Sequence, residues 1–145
     1  EAITTIRNKL DSAGHSIGSW IQIPHSSIAE IMGQAGYDWV AVDMEHGAIA
    51  VNQLPDLFRA LELGNTLPLV RLAQGHPKDC KQALDAGAGG VIVPMVESEE
   101  QLVWLGTLAG GLQQVIEGLL SQGQTCSVSI LILIFWKRNS RYWLR

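Results

Sequence analysis

Short apolar runs recur along this chain, and each one stops in polar residues before a stretch with helical spacing begins. Residues 2–13 place Ile3, Ile6 and Leu10 on one helical face, with Gly14 available to end the helix. Residues 16–23 read as the first strand, stopped by Pro24. A helix over 26–35 follows, capped by Ser26 or Ser27 and closed by Gly36. Residues 39–44 form the second expected strand. Residues 52–63 form the next helix, with Pro55 in its first turn and Gly64 past its end. A third strand over 67–72 ends at Arg71, and a helix over 77–86 stops at Gly87. Residues 90–95 are a fourth strand. A fourth crossover helix is expected over 98–108, with Ser98 as its cap and Glu99 and Glu100 favouring its positive end.

Strands and helices thus alternate at a period of roughly 25–30 residues, the length of a βα unit. The strands are apolar throughout, as in a parallel sheet covered on both faces. Their C-terminal ends collect the polar residues: Gln22 and His25, then Asp43, Glu45 and His46, then Arg71, then Glu97. That edge carries the active site in a βα barrel and also in a doubly wound sheet, so the class is α/β with two architectures open. No glycine-rich phosphate loop follows the first strand, which counts against a dinucleotide-binding fold.

The segment Trp39-Val-Ala-Val-Asp43-Met-Glu45-His46-Gly47 carries most of the candidate chemistry. His46 suits proton transfer near neutral pH, or it caps a helix or sits satisfied in a loop. Arg71 pairs in a structural salt bridge or binds an anion, since arginine is costly to bury without one. Asp85 lies late in a helix, where a carboxylate opposes the dipole, and it is either functional or simply solvated. Glu45 is open to metal ligation, loop anchoring or base chemistry. His25 reads as a loop or cap residue or as pocket-facing, and Trp20 as core or pocket wall. His15 and His76 lie near turns and receive no role.

The chain has 145 residues, 47% of them hydrophobic and 17% charged, enough for one domain with a real core. Its formal charge of −4 argues against a nucleic-acid or anionic-membrane partner. Cys80 and Cys126 show no metal or redox spacing and fit free thiols in a reducing, cytoplasmic compartment. No secretory signal is expected, and the first residue is not Met, so a residue or more is expected to be missing. The apolar run 128–136 is too short to span a bilayer as a helix.

Five motifs in register resemble the HpcH/HpaI aldolase family: Gly18-Ser-Trp20-Ile-Gln22, Pro24-His-Ser-Ser-Ile-Ala-Glu30, Ala35-Gly-Tyr-Asp-Trp-Val-Ala-Val-Asp43-Met-Glu-His46-Gly, Pro68-Leu-Val-Arg71, and Leu84-Asp85-Ala-Gly-Ala-Gly-Gly-Val-Ile-Val-Pro94-Met. The resemblance covers residues 3–108. It implies a (β/α)8 TIM barrel and a class II pyruvate aldolase, a lyase that cleaves 2-keto-4-hydroxy acids to pyruvate and an aldehyde. It also implies a divalent metal (Mg, Mn or Co) acting as Lewis acid, and a homo-oligomer. By motif, His46 is the general base, Asp85 orients it, and Arg71 stabilises the enolate oxygen. Trp20 and Gln22 lie near the pocket, and Asp43 supports the site from within the barrel mouth.

The resemblance stops near residue 110, and the family's metal ligands, a Glu and an Asp on later strands, have no counterpart. Charge changes there too. Residues 1–110 hold six Lys/Arg against thirteen Asp/Glu, whereas residues 111–145 hold four Lys/Arg against the single Glu117. Synonymous codons for Leu112 to Phe135, read from the third base of each, permit a translation containing Ser-Arg-Ala-Asn-Leu-Phe-Gly, part of the absent family segment. The expectation is therefore an N-terminal half barrel over 1–110 and an out-of-frame tail over 111–145. Since such barrels run to about 250 residues, the sheet is expected to keep open edges. Two rival readings follow: a truncated, non-catalytic remnant, and a lyase of the citrate-lyase-beta type acting on acyl-CoA.

Overall fold

The computed structural model describes residues 2–96, Ser98, Glu100, Gln101 and the strand 130–133. The order is α1 (Ala2–Asp11), β1 (Gly18–Ile21), α2 (Ser26–Gln34), β2 (Trp39–Asp43), a 3-10 turn (Val51–Gln53), α3 (Leu54–Leu63), β3 (Leu67–Arg71), α4 (Pro77–Asp85), β4 (Gly90–Pro94) and β5 (Ile130–Leu133). Strands β1 to β4 pair in chain order, all parallel. The four expected strands are present within a few residues of their expected limits. Most of the expected fourth crossover helix lies outside the described residues. Its start is visible, where the Gln101 N–H donates to Ser98 Oγ at 3.2 Å.

Side chains alternate across each strand and so divide the sheet into two faces. One face sends Ile21, Val40, Val42, Val70, Val91 and Val93 against α2, α3 and α4, where Ala29, Leu57, Phe58, Leu61 and Ala83 complete the larger core. The opposite face is apolar towards its N-terminal end. There Ala41, Leu67, Leu69 and Ile92 pack with Ile6 of α1, so the first helix closes that mouth. Of the predicted α1 stripe, Ile6 is buried and Leu10 is exposed. The Lys9–Asp38 ion pair and the bond from the Ile17 N–H to Asp38 fasten α1 to the start of β2.

Two expectations about helix ends are corrected. His25, rather than Ser26 or Ser27, caps α2, its Nδ1 accepting the Ser27 N–H at 3.2 Å. His76 does the same for α4 through the Lys78 N–H. An imidazole Nδ1 stands about as far from its backbone as the Asn or Asp oxygen that usually fills this position. The left-handed residue after α1 is Ala13 (φ 58), not Gly14. Strand β5 pairs with β4 antiparallel from Val91↔Leu133 to Pro94↔Ile130, and among the described residues the sheet keeps the expected open edges, at β1 and β5. The expected tail is otherwise outside the described residues. Among the described residues, no helix is long and apolar enough to cross a membrane.

Helices α2 and α3 meet at glycine. A Cβ on Gly64 would lie 2.0 Å from the Gly33 carbonyl oxygen, a backbone atom that cannot swing aside. Gly64→Ala is therefore expected to cost about 2–3 kcal/mol of stability, read as a lower urea midpoint at unchanged slope. A cost below about 0.5 kcal/mol would mean that the two helices do not meet this closely.

Candidate functional site

The site grows out of register. In parallel pairing Asp43 stands opposite Arg71, both at the C-terminal ends of their strands. Trp20 and Gln22 belong to the same face one strand over, because β1 pairs Trp20 with Ala41. The face that is apolar beside α1 is thus polar at its other end.

Asp43 is the centre of the cluster and is fully buried. Its Oδ1 accepts from Arg71 Nε at 2.9 Å and from the backbone N–H groups of Glu45 and His46 at 3.1 and 3.2 Å. Its Oδ2 accepts from Arg71 Nη2 at 2.6 Å and from Gln22 Nε2 at 2.8 Å. The two backbone bonds turn the chain sharply after β2, in the manner of an aspartate-led turn. Gly47 lets that loop fold back, since a Cβ there would sit 2.3 Å from the Asp43 carbonyl oxygen. Burial pushes the Asp43 carboxyl up. The hydrogen bonds from Arg71, Gln22 and the His46 N–H outweigh it and hold the carboxyl well below the usual carboxylate range.

Arg71 is clamped on three sides. Asp43 takes its edge in a two-point fork, Glu45 Oε2 lies 3.3 Å from Nε, and the Trp20 ring covers its face at 4.6 Å from the centroid. Trp39 holds Trp20 from the side, edge to face at 6.5 Å. Hydrogen bonding to Asp43 raises the guanidinium's proton affinity further, so it is always a cation. Among the described residues Nη1 has no hydrogen-bond partner, on a side chain that is 15% exposed, so its donors are open to a ligand.

Of the residues singled out by sequence, Trp20, Gln22, Asp43, Glu45, His46 and Arg71 come together at this rim. His46 is exposed, its Nε2 3.7 Å from Glu45 Oε2. Asp85 does not join them. It is the exposed last residue of α4, just before the turn that leads into the start of β4, and so belongs to the opposite edge of the sheet. The structure thus does not bring Asp85 to His46 within this chain, and the carboxylate beside His46 is Glu45. Sequence reasoning missed Trp39 as the brace of Trp20 and understated Asp43 as the hub. The signal was present, because residues 20, 39, 41, 43 and 71 share one face by the two-residue period.

A divalent metal fits poorly here. Asp43 spends both oxygens on five donors and Glu45 faces Arg71. Among the described residues, no three His, Cys, Asp or Glu stand close enough to hold an ion. The arrangement can bind an anionic oxygen, stack it beside an indole and offer an imidazole for proton transfer.

The family model described as HpcH/HpaI aldolase/citrate lyase matches residues 16–131. The hydroxypyruvate/pyruvate aldolase of Roseobacter denitrificans is 37% identical over 99 residues, 68% of this chain and 39% of that protein. The 2-dehydro-3,6-dideoxy-6-sulfogluconate aldolase of Pseudomonas putida is 41% identical over 85 residues, 59% of this chain and 33% of that protein. Among solved structures, the citrate synthase SbnG superposes with a TM-score of 0.65 at 31% identity, covering 81% of this chain and 49% of the other. The chain thus spans about two fifths or less of the length of these curated relatives.

Proposed function

The chain belongs to the HpcH/HpaI aldolase/citrate lyase family, and from that premise we propose that its rim cluster handles the enolate of a 2-keto acid in aldol cleavage. The four parallel strands are part of the family's TIM barrel. The observation that carries the chemistry is the clamped guanidinium: Arg71 is fixed by Asp43 and Trp20 with donors left over. Pre-positioned donors stabilise charge as it develops, without reorganising at the moment of reaction.

In the proposed cleavage, His46, directly or through water, takes the proton from the C4 hydroxyl of a 2-keto-4-hydroxy acid. The C3–C4 bond breaks and the aldehyde leaves. The electron pair moves into the C2 carbonyl, and the resulting enolate oxygen is held by Arg71. A proton returned to C3 gives pyruvate. Glu45 lies between the imidazole and the guanidinium, 3.7 Å from His46 Nε2 and 3.3 Å from Arg71 Nε. A divalent metal, if bound, supplies Lewis acidity to the keto acid, and the described residues do not provide its ligands.

One observation favours the second reading, a non-catalytic remnant: among the described residues, the donor set does not fit a metal. A retro-aldol assay with added Mg, Mn or Co, with pyruvate measured through a coupled dehydrogenase, separates the two. Release of pyruvate that falls about 100-fold in His46→Gln supports the lyase. Pyruvate binding without turnover supports the remnant, and turnover of a malyl-type CoA thioester alone moves the chain to the acyl-CoA side. We also propose that residues 111–145 are out of frame with 1–110. The family match runs on to residue 131, beyond residue 110 where the resemblance was expected to stop; a gene with one intact frame and codons unrelated to the family segment ends the frameshift proposal.

A further inference from the structure

Gln22 is tied at one end of its side-chain amide and open at the other. Its Nε2 donates to Asp43 Oδ2 at 2.8 Å, the same oxygen that accepts Arg71 Nη2 at 2.6 Å. Asp43 is ionised and can only accept, so the NH2 group of Gln22 must face it and the amide cannot be flipped. Oε1 is thereby turned away from Asp43. Gln22 is exposed, and among the described residues its Oε1 accepts no hydrogen bond. Because Gln22 and Arg71 share one carboxylate oxygen, they stand side by side, within two hydrogen-bond lengths. The rim therefore presents a cationic donor next to a neutral acceptor. Glu45 is another acceptor nearby, but its Oε2 is turned towards Arg71 and His46.

We infer that Gln22 is a specificity residue that selects a 2-keto acid carrying a hydroxyl beside the carbonyl, a 3-hydroxy-2-oxo acid, over one ending in a methyl group. The inference rests on the reading that Arg71 holds the keto acid. With the carboxylate or keto oxygen on Arg71, the next substituent of the ligand meets Gln22 Oε1. A hydroxyl donates to it. A methyl group leaves the amide oxygen facing an apolar surface, and a second carboxylate is repelled by it. One neutral hydrogen bond of this kind discriminates about fivefold to tenfold.

The test is calorimetric titration of the full chain and of Gln22→Met with hydroxypyruvate and with pyruvate. The parent is expected to bind hydroxypyruvate about fivefold to tenfold more tightly than pyruvate. Gln22→Met is expected to bind the two alike. If Gln22→Met lowers the unfolding midpoint, Gln22→Asn takes its place. It keeps the amide, draws it back by one methylene, and is expected to lose the preference as well. A preference that survives both substitutions overturns the role of Gln22 and leaves the keto-acid reading standing. A parent chain that binds neither ligand overturns the keto-acid reading and this inference with it.

Discussion

Arg71→Ala is expected to lower retro-aldol turnover about 1000-fold and to destabilise the fold in the same step. The first effect follows from removing a pre-positioned donor to the developing enolate oxygen. The second follows from what stays behind. Asp43 would keep its buried carboxylate with only Gln22 and two backbone N–H groups to answer it, and stranding one partner of a buried pair costs about 3–5 kcal/mol. Arg71→Lys separates the two effects. It keeps the cation but loses the two-point fork and the flat contact with Trp20, so most of the stability should return while turnover stays about 100-fold down. Urea melts and single-turnover assays on both variants check this. Full turnover in Arg71→Lys would mean that charge alone is used and that the clamp geometry is irrelevant.

Asp43→Ala is expected to be the most destabilising polar substitution in the described part of the chain, at about 3–5 kcal/mol. It leaves the Arg71 cation buried without its fork, frees Gln22, and removes the acceptor that turns residues 44–47 away from β2. The pH dependence carries a definite sign. Asp43 has a lower proton affinity folded than unfolded, so its stabilisation is complete above the unfolded carboxyl range near ~4 and is lost as pH falls below it. Asp38 acts in the same direction: burial raises its carboxyl, but Lys9 and the Ile17 N–H lower it more. The urea midpoint should therefore be flat around neutrality and drop on acidification below about pH 4. In Asp43→Asn the drop should be shallower and the neutral-pH stability lower. An equal acid slope in parent and Asp43→Asn would show that the carboxylate is not held by this network.

The candidate site was legible to the extent that it follows the strand period. Trp20, Gln22, Asp43 and Arg71 alternate onto one face of parallel strands, and any register that buries Val40, Val42 and Val70 puts them there. Asp85 was assigned to the site from resemblance rather than from periodicity, and the fold sends the end of α4 to the other edge. His25 was weighed as a cap behind Ser26 and Ser27, and His76 was given no role, yet the extended backbone at each histidine brings Nδ1 onto the free N–H.

By itself the sequence determined which segments are strands or helices and which polar residues close each strand. Those properties depend on spacing along the chain, where every residue meets its neighbours in any fold. Only the tertiary structure decided that Asp43 is the hub, that Glu45 rather than Asp85 stands by His46, and that residues 130–133 run antiparallel along β4. Each of these is a contact between distant segments. Its geometry is set by how strands register and where helices return, and no local pattern encodes that.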